Sequence, residues 1–98
     1  MKLAEHVNIG PHRYSVKYSD HERDDGRLGS CVNAKCEIAI APHQAETMQK
    51  SALFHECIEA VNWQLNVGLK HHQVTLLEAG LYDLIEKNPH IFKESEEK

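Results

Sequence analysis

The sequence predicts an α+β domain in which a short, three-stranded, mainly antiparallel sheet packs against two long helices. Two patterns predict it. Residues 12–18 alternate, and in 35–41 Cys36, Ile38 and Ile40 fall on one side at the two-residue period of a half-buried strand. From residue 46 onward the apolar residues instead recur at three- and four-residue intervals, the period of a helix with one buried face. A chain of 98 residues holds one modest core and not two, so residues 1–92 are expected to form a single domain.

Residues 1–11 end in the turn signal Gly10-Pro11, and their Leu3, Val7 and Ile9 assign no element. Tyr14, Val16 and Tyr18 fall on one side of the first predicted strand, residues 12–18. Residues 19–26 form a polar loop closing on Asp25-Gly26. Its carboxylates lack the spacing of a calcium-binding EF-hand, which makes it a solvated loop. A second strand is expected over 27–32 and a turn at Asn33-Ala34. The third strand, 35–41, puts Cys36, Ile38 and Ile40 on its core face, and Pro42 ends it.

The first helix is expected to start within 43–46 and to reach Asn66, with Val67-Gly68 as the stop. Its apolar stripe is Phe54, Cys57, Ile58, Val61 and Leu65. Trp63 lies off that stripe, on the side of Ala52 and Glu56. The second helix, 73–87, carries Val74, Leu77, Leu81, Leu84 and Ile85 and stops at Asn88-Pro89. Glu78 lies beside this second stripe, where partial burial calls for a cation or hydrogen bonds to compensate it. Residues 93–98 form a charged tail.

A formal charge of −4 gives no reason to expect nucleic acid, whose binders usually carry a basic patch or stripe, so no such partner is expected. No stretch approaches the roughly 20 apolar residues of a membrane span, and the first residues lead into no secretory apolar run. The expected location is therefore the cytoplasm. Cys31, Cys36 and Cys57 are odd in number and lack C-x-x-C spacing, which argues against a disulfide framework or zinc knuckle. Cys57 reads as a small buried hydrophobe, with a nucleophile or ligand as the alternative.

The chemistry-bearing stretch is His55-Glu56-Cys57-Ile58-Glu59. It varies the H-E-x-x-H helix of zinc peptidases, in which residues four apart share a helical face and grip one ion. The intervening glutamate serves as general base toward a metal-activated water. Here His55 and Glu59 hold the gripping positions and Glu56 the base position. A carboxylate is a legitimate zinc ligand, so the exchange of histidine for glutamate at position 59 alters the site without abolishing it.

The stretch from Leu53 through Pro89 resembles the small gluzincin-type zinc peptidases, including the single-domain minigluzincins and related proteins of phages and prophages. In that group a glutamate on the following helix is the third ligand, and eighteen residues separate it from the last motif residue. Residues 60–77 separate Glu59 from Glu78, the same eighteen. The strand Glu37-Ile38-Ala39-Ile40-Ala41 also looks like the strand lying over the cleft in such enzymes, extending the resemblance over 12–89. It implies a metalloprotease-like fold, with His55, Glu59 and Glu78 as metal ligands and Glu56 as the catalytic base. The implied ion is zinc, with manganese or iron admitted by the oxygen-rich donor set.

Two carboxylates would roughly neutralise the ion, weakening its acidification of water and hence proteolysis. His71 is a substitute ligand or outer-sphere residue, or else simply begins the second helix. It lies seven residues, about 10.5 Å along the axis, from Glu78.

The leading expectation is a metal-dependent peptidase that binds extended peptide or protein on a sheet edge at 35–41. The rival is an inactive peptidase-fold module that binds or inhibits another protein. A third reading makes Glu56, Glu59 and Glu78 solvated helix carboxylates and His55 an ordinary boundary histidine.

Overall fold

A computed structural model of the chain describes residues 5–19 and 28–92. The predicted loop over 20–26, Arg27 and the tail over 93–98 lie outside the described residues. The elements run β1 (His6–Ile9), β2 (His12–Tyr18), β3 (Gly29–Val32), β4 (Glu37–Ile40), α1 (Glu46–Leu65) and α2 (His71–Lys87). Short 3₁₀ turns occupy Asn33–Lys35 and Pro89–Phe92. None of the helices is long and apolar enough to cross a membrane among these residues.

The α+β class is as expected, but the sheet has four strands in the order β1-β2-β4-β3 rather than three. The added strand is β1, which pairs antiparallel with β2 from His6 opposite Ser15 to Ile9 opposite His12. Gly10 makes that hairpin turn at φ 59°, a conformation glycine adopts without a Cβ penalty. Four residues with two apolar side chains are too few to show a period, which is why the strand was not legible.

The sheet is also mixed rather than mainly antiparallel. β3 and β4 form an antiparallel hairpin across the 3₁₀ turn, whereas β2 and β4 pair in parallel, Ser15 opposite Glu37 through Tyr18 opposite Ile40. Alternation specifies which face of a strand is buried but not which neighbour it takes. β4 is thus paired on both sides. Among the described residues the edge expected at 35–41 does not exist, and the sheet's two edges are β1 and β3.

The core lies between the sheet and α1. Tyr14, Val16, Ile38 and Ile40 are buried as the alternation required, and Ile9 joins them. Tyr18 and Cys36 are only partly buried. Cys36 leaves the strand altogether, in the left-handed region at φ 54°.

From the helix, the buried row is Ala52, Glu56 and Ala60. This corrects the expected stripe, of which Val61 is 40% and Leu65 70% exposed, while Phe54, Cys57 and Ile58 are half-buried. Two alanines, one at each end of this row, let the helix backbone approach the sheet closely, and larger apolar groups are turned aside. Trp63 shares this side but lies near the helix end and is exposed.

Polar contacts set the helix ends. Gln64 Nε2 donates to Ile9 O at 2.9 Å and to Tyr14 Oη at 3.3 Å, and the Tyr14 hydroxyl donates to Asn33 Oδ1 at 2.9 Å. Asn66 ends α1 in the left-handed conformation at φ 53°, which asparagine tolerates.

Asn62 then clasps the connection, accepting from Leu69 N at 2.9 Å and donating to Leu69 O at 3.1 Å. The Gln73 side chain accepts from Lys70 N at 2.8 Å and starts α2 at His71, two residues earlier than periodicity suggested. On α2 only Val74 is buried, whereas Leu77, Leu81, Leu84 and Ile85 of its predicted stripe stay exposed.

Candidate metal centre

Ser51, His55 and Glu59 are spaced four apart on α1 and therefore form one ladder along its surface. Across the helix pair stand His71, at the first position of α2, and Glu78, two turns further on. The early end of one row meets the late end of the other: Ser51 donates its hydroxyl to Glu78 Oε2, while Glu59 Oε2 lies 3.6 Å from His71 Nδ1. His55 stands between them. Its Nε2 is 3.5 Å from Glu59 Oε2 and its Nδ1 is 3.8 Å from Glu78 Oε1.

His55, Glu59 and His71 each offer one ligand atom, all lying within 4.8 Å of one another. Four donors at about 2.1 Å around a tetrahedral ion are separated by about 3.4 Å. The 3.5 Å and 3.6 Å spacings to Glu59 match that edge closely. The two imidazoles face each other edge-on with ring centroids 5.3 Å apart. This group could hold a divalent ion.

Of the three ligand positions expected from sequence, His55 and Glu59 belong to this group. Glu78 approaches His55 from the other side of the ring and reaches its second nitrogen. His71 joins the group because the distance that matters runs across the helix pair to Glu59. Its axial distance from Glu78 along α2 is irrelevant. The sequence held a usable signal in the short connection after Asn66, which obliges the start of α2 to lie beside the last turns of α1.

Glu56 is 8% exposed, the one buried charged residue among the described residues, and it faces the same region. A cleft of about 300 Å³ is lined by Leu28 and Gly29 of the edge-strand side, by Ser51 and Ala52, and by His55, Glu56, His71 and Glu78. A Cβ on Gly29 would stand 3.2 Å from Ala39 O and Ile40 Cδ1 and 3.4 Å from Glu56 Cγ, so glycine relieves crowding chiefly against the neighbouring strand.

Burial, then the charge of Glu56, pushes the Cys57 thiol up to about 11 from its usual 9. Burial, followed by the charges of Glu56, Cys57, Glu59 and Cys36, pushes the Cys31 thiol up to about 12. Both remain protonated at neutral pH, which fits the reading of Cys57 as a packing residue rather than a nucleophile.

No protein-family model matches the chain, and no curated protein or solved structure matches it either. Its function must therefore be inferred from the geometry of the cleft.

Proposed function

We propose that the chain is a metal-dependent hydrolase of the peptidase type, with His55, Glu59 and His71 as ligands of a divalent ion and Glu56 as general base. The observation that carries this reading is the convergence of those three donors within 4.8 Å of one another, with Glu59 3.5 Å and 3.6 Å from the two imidazoles, beside a cleft that Glu56 lines. Two imidazoles and one carboxylate are the donor set of many catalytic zinc sites, and they leave a divalent ion with about one unit of positive charge. The weakening expected from two carboxylate ligands then does not arise.

A bound divalent ion supplies polarisation of a carbonyl and acidification of water. The chain's own residues supply the rest. Glu56, buried beside the cleft, is placed to take a proton from water and return it to a leaving amine. Burial holds Glu56 in one place, and the sheet beneath keeps bulk water from one side of it. His55 and Glu59 are fixed by neighbouring turns of one helix, so their mutual geometry is set before anything binds.

For an extended peptide, β3, an edge of the sheet among the described residues, replaces the edge expected at 35–41. Leu28 and Gly29 border the cleft, and strand addition there would run a peptide backbone past His55 and Glu56. Zinc suits the donor set best, with manganese or iron as the other ions to be tested.

The second reading is a non-catalytic module of the same fold that engages a protein partner. The exposed Leu77, Leu81, Leu84 and Ile85 on α2 favour it, since an apolar helix face of that extent often marks an interaction surface.

Metal content of protein purified without added zinc, together with the variant Glu56→Gln, separates the two. The hydrolase reading expects one equivalent of divalent metal in both proteins and peptide cleavage only with Glu56 present. Metal-free, folded protein without cleavage would favour the module.

A further inference from the structure

We propose that Glu78 is not a metal ligand but the positioning residue of the site, and that, held by Ser51, it fixes the ring tautomer of His55. This role rests on the reading of His55, Glu59 and His71 as the ligand set, and it differs from the one that the eighteen-residue spacing implied for Glu78.

The geometry of one imidazole carries it. The two ring nitrogens of His55 point away from each other in the ring plane, so groups facing opposite nitrogens cannot share one ion. Glu59 Oε2 faces Nε2 at 3.5 Å, and Glu78 Oε1 faces Nδ1 at 3.8 Å. An ion on Nε2 also meets Glu59 and, through it, His71. Glu78 stands on the far nitrogen.

Its second oxygen is already engaged by the Ser51 hydroxyl, one helical turn before His55. Both His55 and Glu78 are largely enclosed, with side chains 16% and 15% exposed, so the contact is sheltered from competing water. At 3.8 Å it is an electrostatic contact, and a shift of under about 1 Å makes it a hydrogen bond.

The consequence is chemical. Glu59 also faces Nε2, at 3.5 Å, but it is shared with His71 and 30% exposed. The more enclosed Glu78, held by Ser51, therefore favours the proton on Nδ1 and leaves the Nε2 lone pair free for the ion. Ser51 keeps the carboxylate aimed. The chain Ser51–Glu78–His55 is thus the outer sphere of the site, assembled across two helices.

The test has two independent arms on the full chain. In metal-free protein, ¹⁵N spectra of the histidine side chains report which nitrogen of His55 carries the proton. The expected result is Nδ1–H in the parent protein and in Glu78→Gln, whose amide oxygen still accepts, with a shift toward Nε2–H in Glu78→Ala. A parent protein with Nε2–H, or a Glu78→Ala protein with an unchanged His55, would overturn the proposal. This arm does not depend on whether metal binds.

In the second arm, competition for Zn²⁺ against a chromophoric chelator gives affinities. Removing the outer-sphere carboxylate in Glu78→Ala is expected to weaken binding about 10- to 100-fold with stoichiometry kept at one. Ser51→Ala, which removes only a hydroxyl and is safe for folding, is expected to weaken it about 2- to 10-fold. A weakening in Glu78→Ala equal to that in His71→Ala would make Glu78 a ligand and overturn the proposal. Absence of Zn²⁺ binding by the parent protein would instead refute the ligand set, leaving the tautomer measurement to judge Glu78 on its own.

Discussion

Replacing His71 by alanine tests the ligand set most directly, because the structure separates its effect on metal binding from its effect on folding. The His71 side chain is 79% exposed and sits at the first position of α2. Its removal takes away only the ring contact with His55 and the contact with Glu59, and a surface substitution of this kind shifts metal-free stability by about 0.5 kcal/mol. Metal binding should fall far more, since one donor in three is lost. A 100-fold weaker site is a modest assumption, at the upper end of what outer-sphere changes alone produce.

At a metal concentration about 1,000 times the parent dissociation constant, the ion stabilises the parent by about 4.1 kcal/mol. The variant, then at about 10 times its own constant, gains only about 1.4 kcal/mol. For a domain of this size a difference of about 2.7 kcal/mol corresponds to about 10–20 °C in the melting temperature. The assay is a thermal melt of both proteins with and without Zn²⁺. A His71→Ala protein that keeps the parent's metal-induced shift refutes the ligand set, because His71 would then not touch the ion.

Glu56→Gln should bind Zn²⁺ normally yet cleave a generic peptide about 10²- to 10⁴-fold more slowly, the usual share of a general base; equal rates would remove Glu56 from the chemistry. Ala60→Leu should lower stability by about 1–3 kcal/mol in denaturant melts, because Ala60 is fully buried where α1 meets the sheet, and an unchanged midpoint would contradict the close approach. Cys31 and Cys57 should react slowly with a thiol reagent near pH 8 in the folded protein and quickly in urea, with identical rates in both states counting against their burial. Their folded values lie above the usual thiol value of 9. The stability they contribute is therefore intact below pH 9 and lost as pH rises toward 11 and 12, so melts should show alkaline destabilisation in that window.

Much of the fold was legible wherever one residue's environment is set by its near neighbours. Tyr14 with Val16, and Ile38 with Ile40, were assigned to the core by alternation alone and are buried there. The helix ends near Asn66 and Asn88 followed from local stop signals. Errors came where packing between elements decided the outcome. On α1, hydrophobicity pointed to Val61 and Leu65, but the sheet accepts the narrow row of Ala52, Glu56 and Ala60. A buried glutamate is a poor core residue by composition and is intelligible only beside a cleft.

The sequence by itself determined that His55 and Glu59 share a helical face, since four residues make about one turn of any α-helix. It likewise determined that Glu56 leaves that face, and that a second helix carrying Glu78 comes after a short connection. Only the tertiary structure decided how the two helices register. That register places His71 against Glu59 and sends Glu78 to the other nitrogen of His55, while the strand order makes β3 rather than β4 the sheet edge beside the cleft. Helical periodicity fixes angles around one axis, whereas ligand distances between helices depend on how their side chains interlock and on the hydrogen bonds of Asn62 that set the turn between them.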